Sequence, residues 1–412
     1  MQQPKLGIAL LVAVTALALA GCGEEKKPEA AKTQAQAPSV PTIEIKIGHV
    51  APLTGGIAHL GKDNENGARL AIDQANAAKI MIGGKLAHFE MIAEDDQADP
   101  KVGTTVAQKL VDAKVAGVDG HLNSGTTIPA SAIYHQAGIP MITGSATNPM
   151  LTEQGFDNVF RVVGRDDQQG PAIANYLAST DKPKVVAVVD DATAYGEGLA
   201  NEVEKTLKAA GVKVLAREKG TDKTTDWKAV LTKIKGEKPD AVFYGGMDAT
   251  GGPLIKQGKE LGIGAVFAFG DGACTDKMAE LAGPAAEGML CSQAGIPPQA
   301  ASKSFLDAYK AKFNTDPILY APFTYDAANL LIEAMRKADS AEPAKYLPEL
   351  HKISYMGATG RIEFDAKGDR KDAEITIFSM KNGKIAPIAV VKAGQTLAYD
   401  EFLKSMGGSG GK

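Results

Sequence analysis

Tryptophan occurs once, cysteine three times and histidine six times in this chain of 412 residues. His49, His59, His88, His121, His135 and His351 share no spacing that would place two or three ligands on one metal. Also missing are a Gly-x-Ser-x-Gly elbow, a glycine-rich dinucleotide fingerprint and a His/Cys cluster, so an enzyme on an α/β framework has no sequence support. Charge of one sign is absent too. With 45 basic and 49 acidic residues the net charge is -4, and no basic stripe interleaved with aromatics points to nucleic acid. Beyond the N-terminus, no apolar run is long enough to span a membrane.

The N-terminus is the one long apolar stretch. Lys5 supplies a positive start, and Leu6 to Ala20 is apolar or small throughout. That length is short for a mature transmembrane helix and fits the core of an export signal. It ends in Leu19-Ala20-Gly21-Cys22, which resembles the bacterial lipobox at all four places. In that reading residues 1–21 are a lipoprotein signal peptide and Cys22 becomes a lipidated first residue. An ordinary signal peptide with a chance cysteine is the alternative. Residues 22–42, rich in Ala, Glu, Lys, Gln and Pro, read as a solvated tether, and 403–412 as a flexible tail. With Cys22 lipidated, Cys274 and Cys291 remain, 16 residues lying between them. In an exported protein they suggest one disulfide, with two buried free thiols as the alternative.

The stretch between tether and tail is too long for one core, so two lobes are expected. Strand-like runs such as Ile45–Val50, Val115–Leu122, Val185–Asp190, Val212–Arg217 and Ala241–Gly245 alternate with segments of helical period such as Gly67–Ala78 and Gly196–Ala210. Steady alternation predicts two doubly wound α/β lobes of parallel sheet flanked by helices. Breaks between lobes are expected at Gly164 and at Gly295-Ile296-Pro297-Pro298. Lys381-Asn382-Gly383-Lys384, between two strand-like runs, predicts a hairpin.

The most informative stretch is 120–149, GHLNSGTTIPASAIYHQAGIPMITGSATNP. Each of its two apolar runs ends in small hydroxyl residues where a loop opens onto a helix. A helix start at Ser124 offers unpaired N–H groups, hydroxyls and the positive end of the helix dipole, which together suit a carboxylate. Ser145, Ala146 and Thr147 arrive in the same way from the second run. Two such ends side by side make a pocket for a small anion or zwitterion.

From about 43 to 400 the chain resembles the type I periplasmic binding proteins of ABC importers, in the leucine/isoleucine/valine-binding branch. The resemblance is carried by NGARLAIDQANA, DDQADPK, GHLNSGTTIPAS, MITGSATNPMLT, DDATAYGEGLA, VFYGGM, FGDGACTDKMAELAG, AAEGML and FTYDAANLL, in family order. It implies two lobes joined by a three-crossover hinge: a first lobe from 43–163 and 295–368, a second from 164–294 and 369–402. A free amino acid, branched-chain or otherwise hydrophobic, would be held between them. Ser124 and Thr147 fall where the family holds the ligand carboxylate. Ser145, Thr147 and Asp271 fall where it holds the ammonium, Asp271 replacing a glutamate. Tyr195 falls where a tyrosine closes over the head group. Leu60, Met247 and Tyr320 stand in the side-chain pocket, Met247 for a tyrosine and Tyr320 for the common phenylalanine.

Each of these residues also has a plain structural use: Ser124 as a helix cap, Tyr195 as loop packing, Asp271 as a turn residue, Met247 as core. The resemblance further implies no cofactor, a monomer, and an ABC permease as partner, with the lipid at Cys22 as the sole membrane contact on the periplasmic or cell-surface side. An amino-acid or amide sensor of the same fold is the alternative function.

Overall fold

The computed structural model describes residues 40–407. The segment expected to be a signal peptide, Cys22, nearly all of the expected tether and residues 408–412 lie outside them.

The first lobe is built on β1 (Thr42–Ala51), β2 (Met81–Ile82), β3 (Lys85–Asp95), β4 (Gly117–Gly120), β5 (Met141–Thr143) and β6 (Val159–Arg161), in the sheet order β2-β3-β1-β4-β5-β6. All pairings but β2–β3 are parallel. Its helices are α1 (Ala58–Ala77), α2 (Pro100–Asp112), α3 (Ser124–Gln136) and the short α4 (Met150–Glu153). Local chemistry starts α2: Asp99 accepts from Lys101 N (2.7 Å) and Val102 N (3.2 Å), with Pro100 as first helical residue. Val106, Ala107 and Leu110 then turn inward onto β1 and β4.

The second lobe begins with α5 (Asp166–Thr180), α6 (Ala194–Ala209), α7 (Lys228–Gly236), α8 (Asp248–Glu260) and α9 (Lys277–Ala282). These alternate with β7 (Val185–Asp190), β8 (Lys213–Val214), β9 (Glu218–Lys219), β10 (Ala241–Gly245), β11 (Val266–Phe269) and β12 (Leu290–Gln293). The chain returns to the first lobe with α10 (Lys303–Phe313), α11 (Ala321–Lys337), α12 (Pro343–His351) and the hairpin β13 (Ser354–Gly357)–β14 (Gly360–Glu363). It then re-enters the second sheet as β15 (Ile375–Lys381), β16 (Lys384–Lys392) and β17 (Gln395–Ala398), giving the order β17-β16-β15-β12-β11-β10-β7-β8. The β15–β16 turn is Asn382 (φ 51°) and Gly383 (φ 74°), both left-handed as the Asn-Gly pair demands.

Three chain segments pass between the sheets, after β6, after β12 and after β14, and they are bonded to one another. Gly164 N donates to Ala294 O (2.9 Å), Arg161 N to Gly368 O (2.9 Å), and Arg370 Nη1 to Val162 O (3.1 Å). Cys274 and Cys291 form a buried disulfide with Cα atoms 5.3 Å apart, joining the loop after β11 to β12.

Three local expectations are corrected. Helix α1 starts at Ala58, nine residues before Gly67, because Asp63, Asn64 and Asn66 are buried and bond to the returning chain, while buried Glu65 pairs with Lys62 and Arg69 of the same helix. The strand expected over Val212–Arg217 shrinks to β8 at Lys213–Val214, and β9 follows just beyond it, the two pairing with different ends of β7. Residues 403–407, expected to be tail, continue α13 (Tyr399–Gly407), which Phe402 docks into the core at 1% exposure.

Candidate functional site

Thr143, the last residue of β5, organises the first wall of the cleft. Its hydroxyl donates to His121 O (2.8 Å) after β4 and accepts from Ser145 N (3.2 Å) and Ala146 N (3.0 Å). One side chain thus ties both hydroxyl-bearing loops together. Ser124, at the first position of α3, accepts from Asn148 N at 3.2 Å, so the start of α3 and the 144–148 loop converge. Ser145 Oγ accepts from Asn64 Nδ2 of α1 at 3.1 Å. Ser124, Ser145 and Thr147 are all buried, and Thr147 Oγ1 has no hydrogen-bond partner.

Arg161 uses all five of its N–H groups, two of them on the carbonyls of this loop. Nη1 donates to Ala146 O (3.1 Å) and Asn148 O (2.8 Å), Nη2 to Thr152 Oγ1 (2.9 Å) and Asp369 Oδ1 (2.6 Å), and Nε to Asp369 Oδ1 (2.9 Å). The 144–148 loop is thereby fastened to the third crossover.

The second wall centres on Asp271, 1% exposed. Oδ1 accepts from Tyr195 OH (2.8 Å) and Gln169 Nε2 (3.0 Å), and Oδ2 from Tyr320 OH (2.7 Å). Tyr195 OH accepts in turn from Gly272 N at 3.0 Å. Burial raises the Asp271 carboxyl above its ordinary range, while the bonds from Tyr320, Tyr195 and Gln169 pull it back. Burial beside Asp271 keeps both tyrosines well above theirs, so both remain donors. Tyr320 belongs to the returning first lobe and is positioned by Asp63, whose Oδ2 accepts from Leu319 N, Tyr320 N and Ala321 N at 2.7–3.0 Å.

Leu60, Met247 and Tyr320 meet in one apolar cluster with Ile57, Leu122, Leu319 and Ala249. Tyr320 therefore does two things, lining this cluster with its ring and reaching Asp271 with its hydroxyl. Beyond the cluster His59 Nε2 lies 2.7 Å from Asp248 Oδ2, which also accepts from Thr275 Oγ1 at 2.7 Å. Asn148 Nδ2 donates to Ala194 O at 2.6 Å. The Tyr320–Asp271, His59–Asp248 and Asn148–Ala194 contacts each join opposite lobes, so the lobes are closed on one another.

Sequence reasoning missed Asp166, Gln169, Asn64, Asn148, His59 and Arg161. Asp166 and Gln169 lie in a Arg-Asp-Asp-Gln-Gln run that reads as a solvated helix start, and both are fully buried. Arg161 carried one usable signal, a lone cation between the apolar residues Val159-Phe160 and Val162-Val163.

A periplasmic binding protein family model matches residues 44–384. A leucine-, isoleucine-, valine-, threonine- and alanine-binding protein of Pseudomonas aeruginosa is 37% identical over 337 residues, covering 81% of this chain and 89% of its own. A Leu/Ile/Val-binding protein homologue of Brucella melitensis is 36% identical over 82% of this chain and 91% of its own. Among solved structures, the branched-chain amino acid binding protein LivJ of Streptococcus pneumoniae in complex with isoleucine is 31% identical, with a TM-score of 0.76 over 85% of this chain and all of its own. The leucine-binding protein LivK of Thermotoga maritima is 28% identical, with a TM-score of 0.78 over 85% and 99%. By their names these relatives are binding proteins, the Streptococcus pneumoniae one the substrate-binding protein of a branched-chain amino acid transporter. On the family match and the two-lobed fold together, the chain belongs to the periplasmic binding protein family.

Proposed function

We propose that this protein captures a free hydrophobic amino acid between its lobes and delivers it to an ABC permease. The observation that carries the reading is Asp271, a buried carboxylate held by donors from both lobes, in a cleft whose other wall is the start of α3. A zwitterion satisfies both walls at once. Its carboxylate goes to Ser124, Thr147 and the unpaired N–H groups of α3, where the helix dipole favours negative charge. Its ammonium goes to Asp271, the Thr147 hydroxyl and the Ser145 carbonyl. Tyr195 closes over the head group, and Leu60, Met247 and the Tyr320 ring receive the side chain. Met247 adapts its shape readily, which suits several aliphatic side chains rather than one.

Closure excludes water and strengthens each charge contact. The names of the relatives support branched-chain ligands and a role with a transporter. Export and lipidation at Cys22 complete the reading, with a monomeric binding lobe pair tethered at the membrane surface. A thermal-shift screen of the common amino acids, followed by calorimetry, tests it. Leucine, isoleucine or valine should raise the melting temperature. No shift with any amino acid sinks the proposal.

A further inference from the structure

Of the contacts that join the lobes, Tyr320–Asp271 lies among the residues assigned to the ligand, and Asn148–Ala194 flanks them. His59–Asp248 stands apart. His59 precedes Leu60 in α1, but the two face different surroundings. Leu60 is fully buried in the apolar cluster, whereas the His59 side chain, 24% exposed, lines a cavity of about 680 Å³. Thr275, Lys277 and Glu280 of the second lobe line it too, with Asp316 and Ile318 of the first. None of the residues assigned to the ligand does. The lobes approach closely here: a Cβ on Gly56 would stand 3.1 Å from Ala249 Cβ, beside Asp248.

Asp248 is placed to receive that histidine. It opens α8 and is fully buried. An acid at a helix start ordinarily serves the free N–H groups of its own first turn. Among the described residues, Asp248 Oδ2 accepts instead from Thr275 Oγ1 of its own lobe and from His59 Nε2 of the other, each at 2.7 Å. Its Oδ1 has no donor, so His59 supplies half of the bonds that this buried carboxylate makes. Thr275 is held independently of the first lobe. It follows Cys274, whose disulfide ties the turn to β12 and whose N–H donates to Asp271 O at 2.8 Å. The 271–275 turn thus carries Asp271 towards the ligand and Thr275 towards Asp248. Parting the lobes takes His59 away and leaves Asp248 with Thr275.

We propose that His59 and Asp248 are positioning residues, a latch that holds the lobes closed without touching the ligand. The inference rests on the amino-acid capture proposed above and adds a contact that every ligand shares. The latch acts through the balance between open and closed forms alone. A contact present only in the closed form multiplies the affinity of every ligand by one common factor. A residue that reads the ligand side chain changes those affinities unequally. The latch breaks as the lobes part, so its loss speeds release more than it slows capture.

The test is calorimetry and stopped-flow kinetics with L-leucine, L-isoleucine, L-valine and L-alanine on the wild type, His59→Ala and His59→Gln. H59A should lose about tenfold or more in affinity for each, with their order kept and the loss carried by faster dissociation. H59Q, which keeps a donor, should recover part of it. D248A and H59A combined should bind no more weakly than D248A alone, as two halves of one contact do. Unchanged affinity in H59A overturns the proposal. Losses that differ among the ligands by more than about threefold also overturn it, because they mark a side-chain contact. Both outcomes leave the amino-acid reading intact. A wild type that binds none of the four removes that reading, and X-ray scattering without ligand then decides the latch. H59A should show a larger radius of gyration than the wild type, and equal radii overturn the proposal.

Discussion

The Tyr320 hydroxyl donates to Asp271 Oδ2 across the cleft at 2.7 Å, and the two residues belong to opposite lobes. Tyr320→Phe keeps the ring in its apolar cluster and removes one bond to a charged group, worth about 1.5–3 kcal/mol. Affinity should fall about tenfold or more, with the ligand-free melting temperature little changed. Affinity equal to wild type would show that the bond contributes nothing to closure.

Thr147→Ala separates binding from folding. Thr147 Oγ1 has no hydrogen-bond partner in the protein, so its loss should cost little in ligand-free stability. With ligand, the hydroxyl is assigned to both head-group charges, and affinity should fall about tenfold. Thr147→Ser, which keeps the oxygen, should bind within about threefold of wild type. A T147A protein that binds normally removes Thr147 from the site.

The parts of the fold written in local chemistry were legible and the parts written in tertiary contacts were not. Asn382-Gly383 declares its turn because few other pairs tolerate two left-handed residues. Ser124 declares a helix start. The first half of α1 is hidden because Asp63, Asn64, Glu65 and Asn66 look solvent-facing, yet Asp63 caps the chain entering α11 and Asn64 bonds Ser145. Gly67 sits among them because a Cβ there would collide with the Ala321 carbonyl and Thr324 Oγ1 of α11. Asp166 is hidden for a similar reason: a carboxylate opening a helix is ordinary capping chemistry, and only burial without a donor makes it unusual.

Arg161 carries the coupling between hinge and site. It is fully buried and paired with Asp369, whose Oδ2 also accepts from Arg165 Nη1 and Thr152 Oγ1 at 2.8 Å each. Arg161→Met leaves a buried carboxylate and two loop carbonyls short of donors, at a cost of about 3–5 kcal/mol. Urea denaturation should report that loss, and ligand affinity should fall with it because Ala146 and Asn148 flank Thr147. Unfolding at the wild-type urea midpoint would refute the clamp.

His49 and Asp119 form a buried pair on adjacent strands β1 and β4, opposite one another in register. His49 Nδ1 lies 3.9 Å from Asp119 Oδ2, and none of the four side-chain polar atoms has a hydrogen-bond partner. Burial lowers His49 to about 4 from 6.5, against the pull of Glu65 and Asp119, and burial pushes Asp119 well above its ordinary 3.8. The two act in opposite senses on stability. Between pH 4 and 6.5 the unfolded histidine binds a proton that the folded one refuses, so its contribution rises with pH and is lost on acidification. Asp119, raised by burial, acts the other way: its contribution is present below about pH 3.8 and falls as pH rises through its folded value. Asp119→Asn should make stability rise more steeply with pH than in wild type, and His49→Met should remove the rise that the histidine contributes between pH 4 and 6.5, up to about 1.4 kcal/mol per pH unit. Chemical denaturation at several pH values across that window measures both, and variants that track the wild-type slope would show that the pair titrates as it does in the unfolded chain.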